Sequence, residues 1–176
     1  MYNDDLEILA DEIAIATEKS FLSLFQNQEN YYYCALVTTG EAVAPVISAW
    51  SLEALETVAK KYAKADAELI KWSYADSPYW NFGYENFETV RELFNERILD
   101  YTDEIKWFKE VDFRLEAMVL AMEKIDNKGL FSLTQPRNKV YVNVEVMPPD
   151  ETNIIRALRL NKRENILDWL NEAAEE

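Results

Sequence analysis

Residues 139 to 147 read KVYVNVEVM, the most regular two-residue alternation in the chain. Val140, Val142, Val144 and Val146 fall on one side, and Tyr141, Asn143, Glu145 and Met147 on the other. Such a period fits a β-strand with one buried face and one mixed face. A strand needs partners, and the sequence supplies two candidates upstream. YYYCALVTTG, from Tyr31, is dense in aromatic and β-branched residues, and VAPVISAWS follows it after Gly40-Glu41. The pair reads as antiparallel strands around a tight turn, with Pro45 disposing the second towards an edge because proline donates no ladder hydrogen bond.

The rest of the chain carries helical spacing. Leu6, Leu9, Ile13, Ala16, Leu24 and Phe25 recur at three and four over residues 3 to 26. Ser51 is placed to cap a helix beginning at Leu52, whose apolar face is Leu55, Val58, Ala59 and Tyr62 before the chain passes through Lys64-Ala65-Asp66. Phe87, Val90, Leu93, Phe94 and Ile98 mark a helix over residues 86 to 99. From Asp103, Phe108, Val111, Leu115, Met118, Met122 and Ile125 run to a stop at Asn127-Lys128-Gly129. Trp107, Phe113, Val119 and Leu120 widen that stripe, which favours packing inside a globular domain over a coiled-coil seam. Asp150 is placed to cap a helix reaching Leu160, and Ile166, Leu167, Trp169 and Leu170 mark a last one before the acidic tail.

Three strands separated by runs of helices do not alternate as a doubly wound protein would. The expectation is a single α+β domain over residues 1–176: a small, mainly antiparallel sheet of about three or more strands, packed with several helices. At 176 residues and 49% hydrophobic composition there is enough material for one core. An acidic N-terminal segment and the lack of a long apolar run point to a soluble, cytoplasmic protein with no membrane partner. The lone cysteine, Cys34, sits within an apolar run and reads as a buried free thiol.

Function is bounded mainly by what the chain lacks. It contains no histidine, one cysteine and three glycines. Histidine-based nucleophilic catalysis, histidine-bearing zinc sites and glycine-rich phosphate loops are therefore out of reach, and no cofactor, metal site or catalytic residue is expected. Carboxylate chemistry remains open, either as paired acids for hydrolysis or as oxygen ligands for a divalent cation. The acid pairs in sight, Asp4-Asp5, Asp11-Glu12, Asp66-x-Glu68 and Asp100-x-x-Asp103-Glu104, are explained by solvent-facing helix positions or by capping. With 33 acidic and 18 basic residues the formal charge is −15, which repels nucleic acids and anionic lipid and attracts basic proteins.

The stretch KWSYADSPYWNFGYENF, residues 71 to 87, holds seven aromatic side chains. Buried, they would pin an irregular connection to the core. Exposed, Trp72, Tyr74, Asp76, Tyr79, Trp80, Tyr84 and Glu85 would form a partner-binding surface, since tyrosine and tryptophan dominate interface hot spots. The balance of the two is an expectation that most rings face inward, while one or two, with Asp76, stay at the surface.

Taken in order, FLSLF, YYYCALVTTGEAVAPVISAWS, LEALETVAKKYA, ELIKWSYADSPYW, KGLF and YVNVEV resemble a bacterial family known as domain of unknown function 4303. The resemblance covers nearly the whole chain and is most specific in YYYCALVTT and KWSYADSPYW. It implies a tryptophan–serine–x–alanine–aspartate–x–x–tyrosine–histidine pattern, matched here by Trp72, Ser73, Ala75, Asp76 and Tyr79, with Trp80 standing where the histidine would be. That departure favours a structural or binding role. The resemblance further implies small acidic bacterial proteins that look like immunity proteins, so the expected function is non-enzymatic binding of a basic toxin domain. A cryptic carboxylate- or metal-dependent hydrolase, or a scaffold self-associating through the face that begins at Phe108, are the alternatives.

Overall fold

A computed structural model describes residues 2–62 and 69–174 of the protein. The connection through Lys64-Ala65-Asp66 and the pair Asp66-x-Glu68 lie outside the described residues. The elements run α1 (Tyr2–Leu24), β1 (Tyr31–Thr39), β2 (Val46–Ser51), α2 (Leu52–Ala59), α3 (Glu88–Glu96), α4 (Glu104–Asn127), β3 (Tyr141–Met147), α5 (Thr152–Leu160) and α6 (Leu167–Glu172). This is an α+β fold built on a three-stranded sheet of order β2-β1-β3.

The sheet is mixed rather than mainly antiparallel. β1 and β2 form the expected antiparallel pair, but β1 and β3 run parallel, Tyr33 facing Tyr141 and Val37 facing Glu145 in register. A parallel neighbour needs a crossover, and the whole stretch from α2 to α4 supplies it. Parallel strands are covered on both faces, and here the mixed face expected for β3 is covered too: Tyr141, Asn143 and Glu145 are as buried as the valines between them.

The first face carries Cys34, Leu36, Ile47, Ala49, Val142 and Val144, packed beneath α1 and α4. Leu9, Ile13 and Phe21 of α1 and Met118, Met122 and Ile125 of α4 are all buried there. The stripe on α4 is thus filled by the chain's own helices, while Phe108 stays half exposed at its start. Cys34 lies fully buried, and burial pushes its thiol up in pKa. The second face carries Tyr33, Ala35, Val37, Trp50 and Tyr141 against α2, α5 and α6. A register shift between Tyr31 and Tyr33 lets three successive tyrosines serve both faces: Tyr31 joins the first core, and Tyr32 and Tyr33 the second.

Boundaries differ from expectation where a local rule prevails. β2 begins at Val46, immediately after Pro45, so residues 43 to 45 stay outside the ladder. The helix expected over 86 to 99 closes at Glu96, leaving Ile98 exposed. Two caps form as expected, Ser51 accepting from the Ala54 N–H at 2.9 Å and Asp103 from the Lys106 N–H at 3.1 Å, whereas α5 is flanked by Glu151 with no side-chain cap and the Asp150 side chain bonds the Thr152 N–H and hydroxyl.

Both flanks of the sheet are bonded by something other than a strand. Along β3, side chains of α5 and the residue that follows it substitute for a neighbour. Asn153 bonds the N–H and carbonyl of Val146, Arg156 Nε donates to the Val144 carbonyl, and Asn161 bonds both backbone groups of Val142. Along β2, the Asn81 N–H donates to the Ile47 carbonyl at 2.9 Å, and Ser77 Oγ donates to the Ala49 carbonyl.

Candidate functional site

The aromatic segment is fixed to the sheet by its backbone. Trp50 Nε1 donates to the Ser73 carbonyl at 2.8 Å and Ser48 Oγ to the Tyr74 carbonyl at 2.9 Å. With the Ser77 and Asn81 bonds this holds residues 73 to 81 along β2, an irregular stretch given a strand's anchorage. Its side chains are thereby divided. Tyr79 turns inward, donating to Glu29 at 2.5 Å and packing on Tyr31 with ring centroids 5.6 Å apart. Trp80 remains 41% exposed and leans on Tyr74, centroids 5.0 Å apart. Tyr84 is 48% exposed under the guanidinium of Arg91, 3.8 Å from its ring centroid. Asp76 and Glu85 are exposed.

Of the seven residues singled out from the sequence, Trp72, Tyr74 and Trp80 come together as walls of one groove. The groove is a run of three neighbouring hollows with shared walls, of about 530, 210 and 610 Å³. Trp72 and Trp169 separate the first from the second, and Tyr74, Met147 and Pro149 the second from the third. Asp76, Tyr79, Tyr84 and Glu85 do not line it.

At the middle hollow stands a residue that sequence reasoning did not select. Glu145 is 3% exposed, and its carboxylate accepts from the Tyr33 hydroxyl at 2.7 Å and the Tyr141 hydroxyl at 3.0 Å. Asn143 Nδ2 donates in turn to the Tyr141 oxygen at 2.8 Å, while Asn143 Oδ1 is buried without a hydrogen-bond partner among the described residues. Burial pushes the Glu145 carboxyl up to about 7, against the opposing pull of the two tyrosine hydrogen bonds and the charge of Arg156. The tyrosines are themselves raised, first by burial and then by the neighbouring carboxylate.

Aromatic rings surround this group. Tyr33 stacks on Tyr141 at 5.5 Å, Tyr141 on Trp169 at 4.7 Å, and Trp72 meets Tyr141 edge-on at 5.8 Å. Glu172 holds Trp72 in place, its Oε2 accepting from Trp72 Nε1 and Lys71 Nζ, both at 2.8 Å. The one sequence signal for the site was an acid on the mixed face of YVNVEV, opposite the valines, and the covering residues Trp169 and Glu172 come from the far end of the chain.

The chain's match to a family model spans residues 12–162, which includes the sheet, the aromatic segment and Glu145. It belongs to the family described as a domain of unknown function (DUF4303). The matched region ends before Trp169, so one wall of the middle hollow lies outside it. No curated protein and no solved structure matches the chain. Among the described residues no group of three or more acidic or cysteine side chains is arranged to hold a metal ion, and no helix is long and apolar enough to cross a membrane.

Proposed function

We propose that this DUF4303 protein is a non-enzymatic binding protein, most concretely a cytoplasmic immunity protein that holds a basic toxin domain and occludes it. The observation that carries the reading is the groove: Trp72, Tyr74 and Trp80 stand on a segment bonded to the sheet, half buried or exposed, in a chain of formal charge −15. Rings held this way lose little side-chain freedom on binding, which is how interface hot spots act. Carboxylates around them steer a cationic partner and speed encounter. Several basic side chains are already engaged with acids, Arg159 with Glu116 and Glu123, Lys124 with Glu7 and Asp11, and Arg137 with Asp126.

The test is titration with a basic toxin domain encoded beside this chain, by calorimetry at low and high salt. Saturable binding that weakens at least tenfold as salt rises is expected. Retention of chaperones alone in low-salt pull-downs, with no binding by the neighbouring gene product, would sink the reading.

One observation favours a second reading. A carboxyl that titrates around 7 beside an open hollow has the proton affinity of a general acid or base, so Glu145 suits a carboxylate hydrolase. Turnover by the purified chain that disappears in Glu145→Gln would establish it in place of the first.

A further inference from the structure

Buried carboxylates are ordinarily matched by a cation in direct contact. Glu145 is not: its two partners are neutral hydroxyls, and no ion pair to it forms among the described residues. Arg156, on α5, acts on it through space, but its guanidinium is committed to the Val144 carbonyl at 2.8 Å and Asn153 Oδ1 at 2.6 Å. Glu145 lines a hollow of about 210 Å³, room for a small organic cation, whose other walls include Trp72, Tyr74, Trp169 and Met147. Faces of tryptophan and tyrosine attract an ammonium within about 6 Å of the ring, and a methionine and a proline complete an apolar sleeve for a carbon chain. The surplus negative charge of the whole chain concentrates cations at its surface.

We infer that the Glu145 hollow is a receptor for an alkylammonium group, the head seated at Glu145 and the alkyl stem lying between Trp72, Trp169 and Met147. The group comes either from a lysine side chain of the bound partner or from a free amine. The inference deepens the binding reading and rests on it only for the lysine as source. The tyrosine hydroxyls hold the carboxylate's orientation, and an arriving cation favours its ionised form, so binding below about pH 7 releases a proton from Glu145. The groups facing that carboxylate in this titration are Tyr33 on β1, Tyr141 on its own strand and Arg156 on α5.

The experiment uses the full chain with n-butylammonium chloride and with lysine acetylated at its α-amine and amidated at its carboxyl, n-butanol serving as the uncharged control. Binding is followed by calorimetry and by the indole N–H resonances of Trp72 and Trp169. Saturable binding of both cations is expected, at least tenfold tighter than butanol, with shifts at both indoles and at least tenfold loss in Glu145→Gln. Met147→Arg, which places a cation at the rim, must abolish binding as well and serves if the first variant fails to fold. Capped lysine that competes with the toxin domain assigns the group to the partner, and binding that leaves toxin capture unchanged assigns it to a free amine. Equal affinity in wild type, Glu145→Gln and Met147→Arg, or no saturable binding, overturns the inference. Toxin capture that persists in both variants would leave the immunity reading standing while removing this one.

Discussion

The side-chain amide of Asn161 closes on the backbone of Val142 at two points, its Nδ2 2.6 Å from the carbonyl and its Oδ1 3.1 Å from the N–H. An amide reproduces what a neighbouring strand offers, one donor and one acceptor, and Asn153 repeats the device at Val146. Asn161→Ala leaves both Val142 groups buried and unbonded, and each such group costs about 1–3 kcal/mol. A loss of about 2–4 kcal/mol by urea denaturation, with an unchanged m-value, is expected. A loss below about 1 kcal/mol would show that water replaces the amide there.

Glu145 makes stability depend on pH in an unusual direction. Its folded carboxyl titrates at about 7 and its ordinary value is 4.5, so between these the folded state binds the extra proton. Stability from this group is therefore fully present below 4.5 and lost as pH rises through 7. Glu145→Gln removes the dependence. The variant should match wild type near pH 4.5 and exceed it by up to about 3 kcal/mol at pH 8, a difference that paired denaturation curves across the range would reveal. A wild-type advantage that grows with pH would contradict the raised value.

Gly83 has φ +70, and a Cβ there would lie 2.5 Å from Ser20 Oγ and 2.9 Å from Ser20 Cβ on α1. Gly83→Ala combines a disfavoured backbone with a clash against a buried helix residue, and a cost of about 2–4 kcal/mol is expected. Pairing it with Ser20→Gly tests the cause. Measured against Ser20→Gly alone, which carries its own helix-glycine cost, adding Gly83→Ala should cost only about 1 kcal/mol of backbone strain once the Asn86 amide, 2.9 Å from the new Cβ, swings aside.

Under the proposed binding role, Trp80 and Tyr79 are neighbours with opposite tasks. Trp80→Ala removes an exposed ring and should change stability by about 1 kcal/mol or less, while weakening partner binding by about 2 kcal/mol or more. Tyr79→Ala should do the reverse, because it takes away a contact with Tyr31 and the bond to Glu29. Parallel melting and calorimetric titration of the two variants would separate interface from anchor.

Much of the architecture was legible in the residues, because each helix announced its buried stripe through spacing and the antiparallel pair through its β-branched runs. The parallel partnering of β1 with β3 was not, since nothing local tells a strand which distant neighbour it will meet or in which direction. The same limit hid the middle hollow. Alternation placed Glu145 opposite the valines but could not say that α5, α6 and Trp72 would cover that side. In the aromatic stretch, residue types showed that rings would matter, while their division between core and groove was decided by backbone bonds at Ser73, Tyr74, Ser77 and Asn81.

The bonded flanks of the sheet have a consequence for how this protein meets others. Carbonyls at Ile47 and Ala49 on one side, and at Val142, Val144 and Val146 on the other, are already satisfied from within the chain. A visiting peptide therefore finds no template at those positions for lengthening the ladder, and a second copy cannot stack on edge there into a fibre. Under the proposed binding role, recognition would fall to rings and carboxylates, chemistry that tolerates partners of any backbone shape.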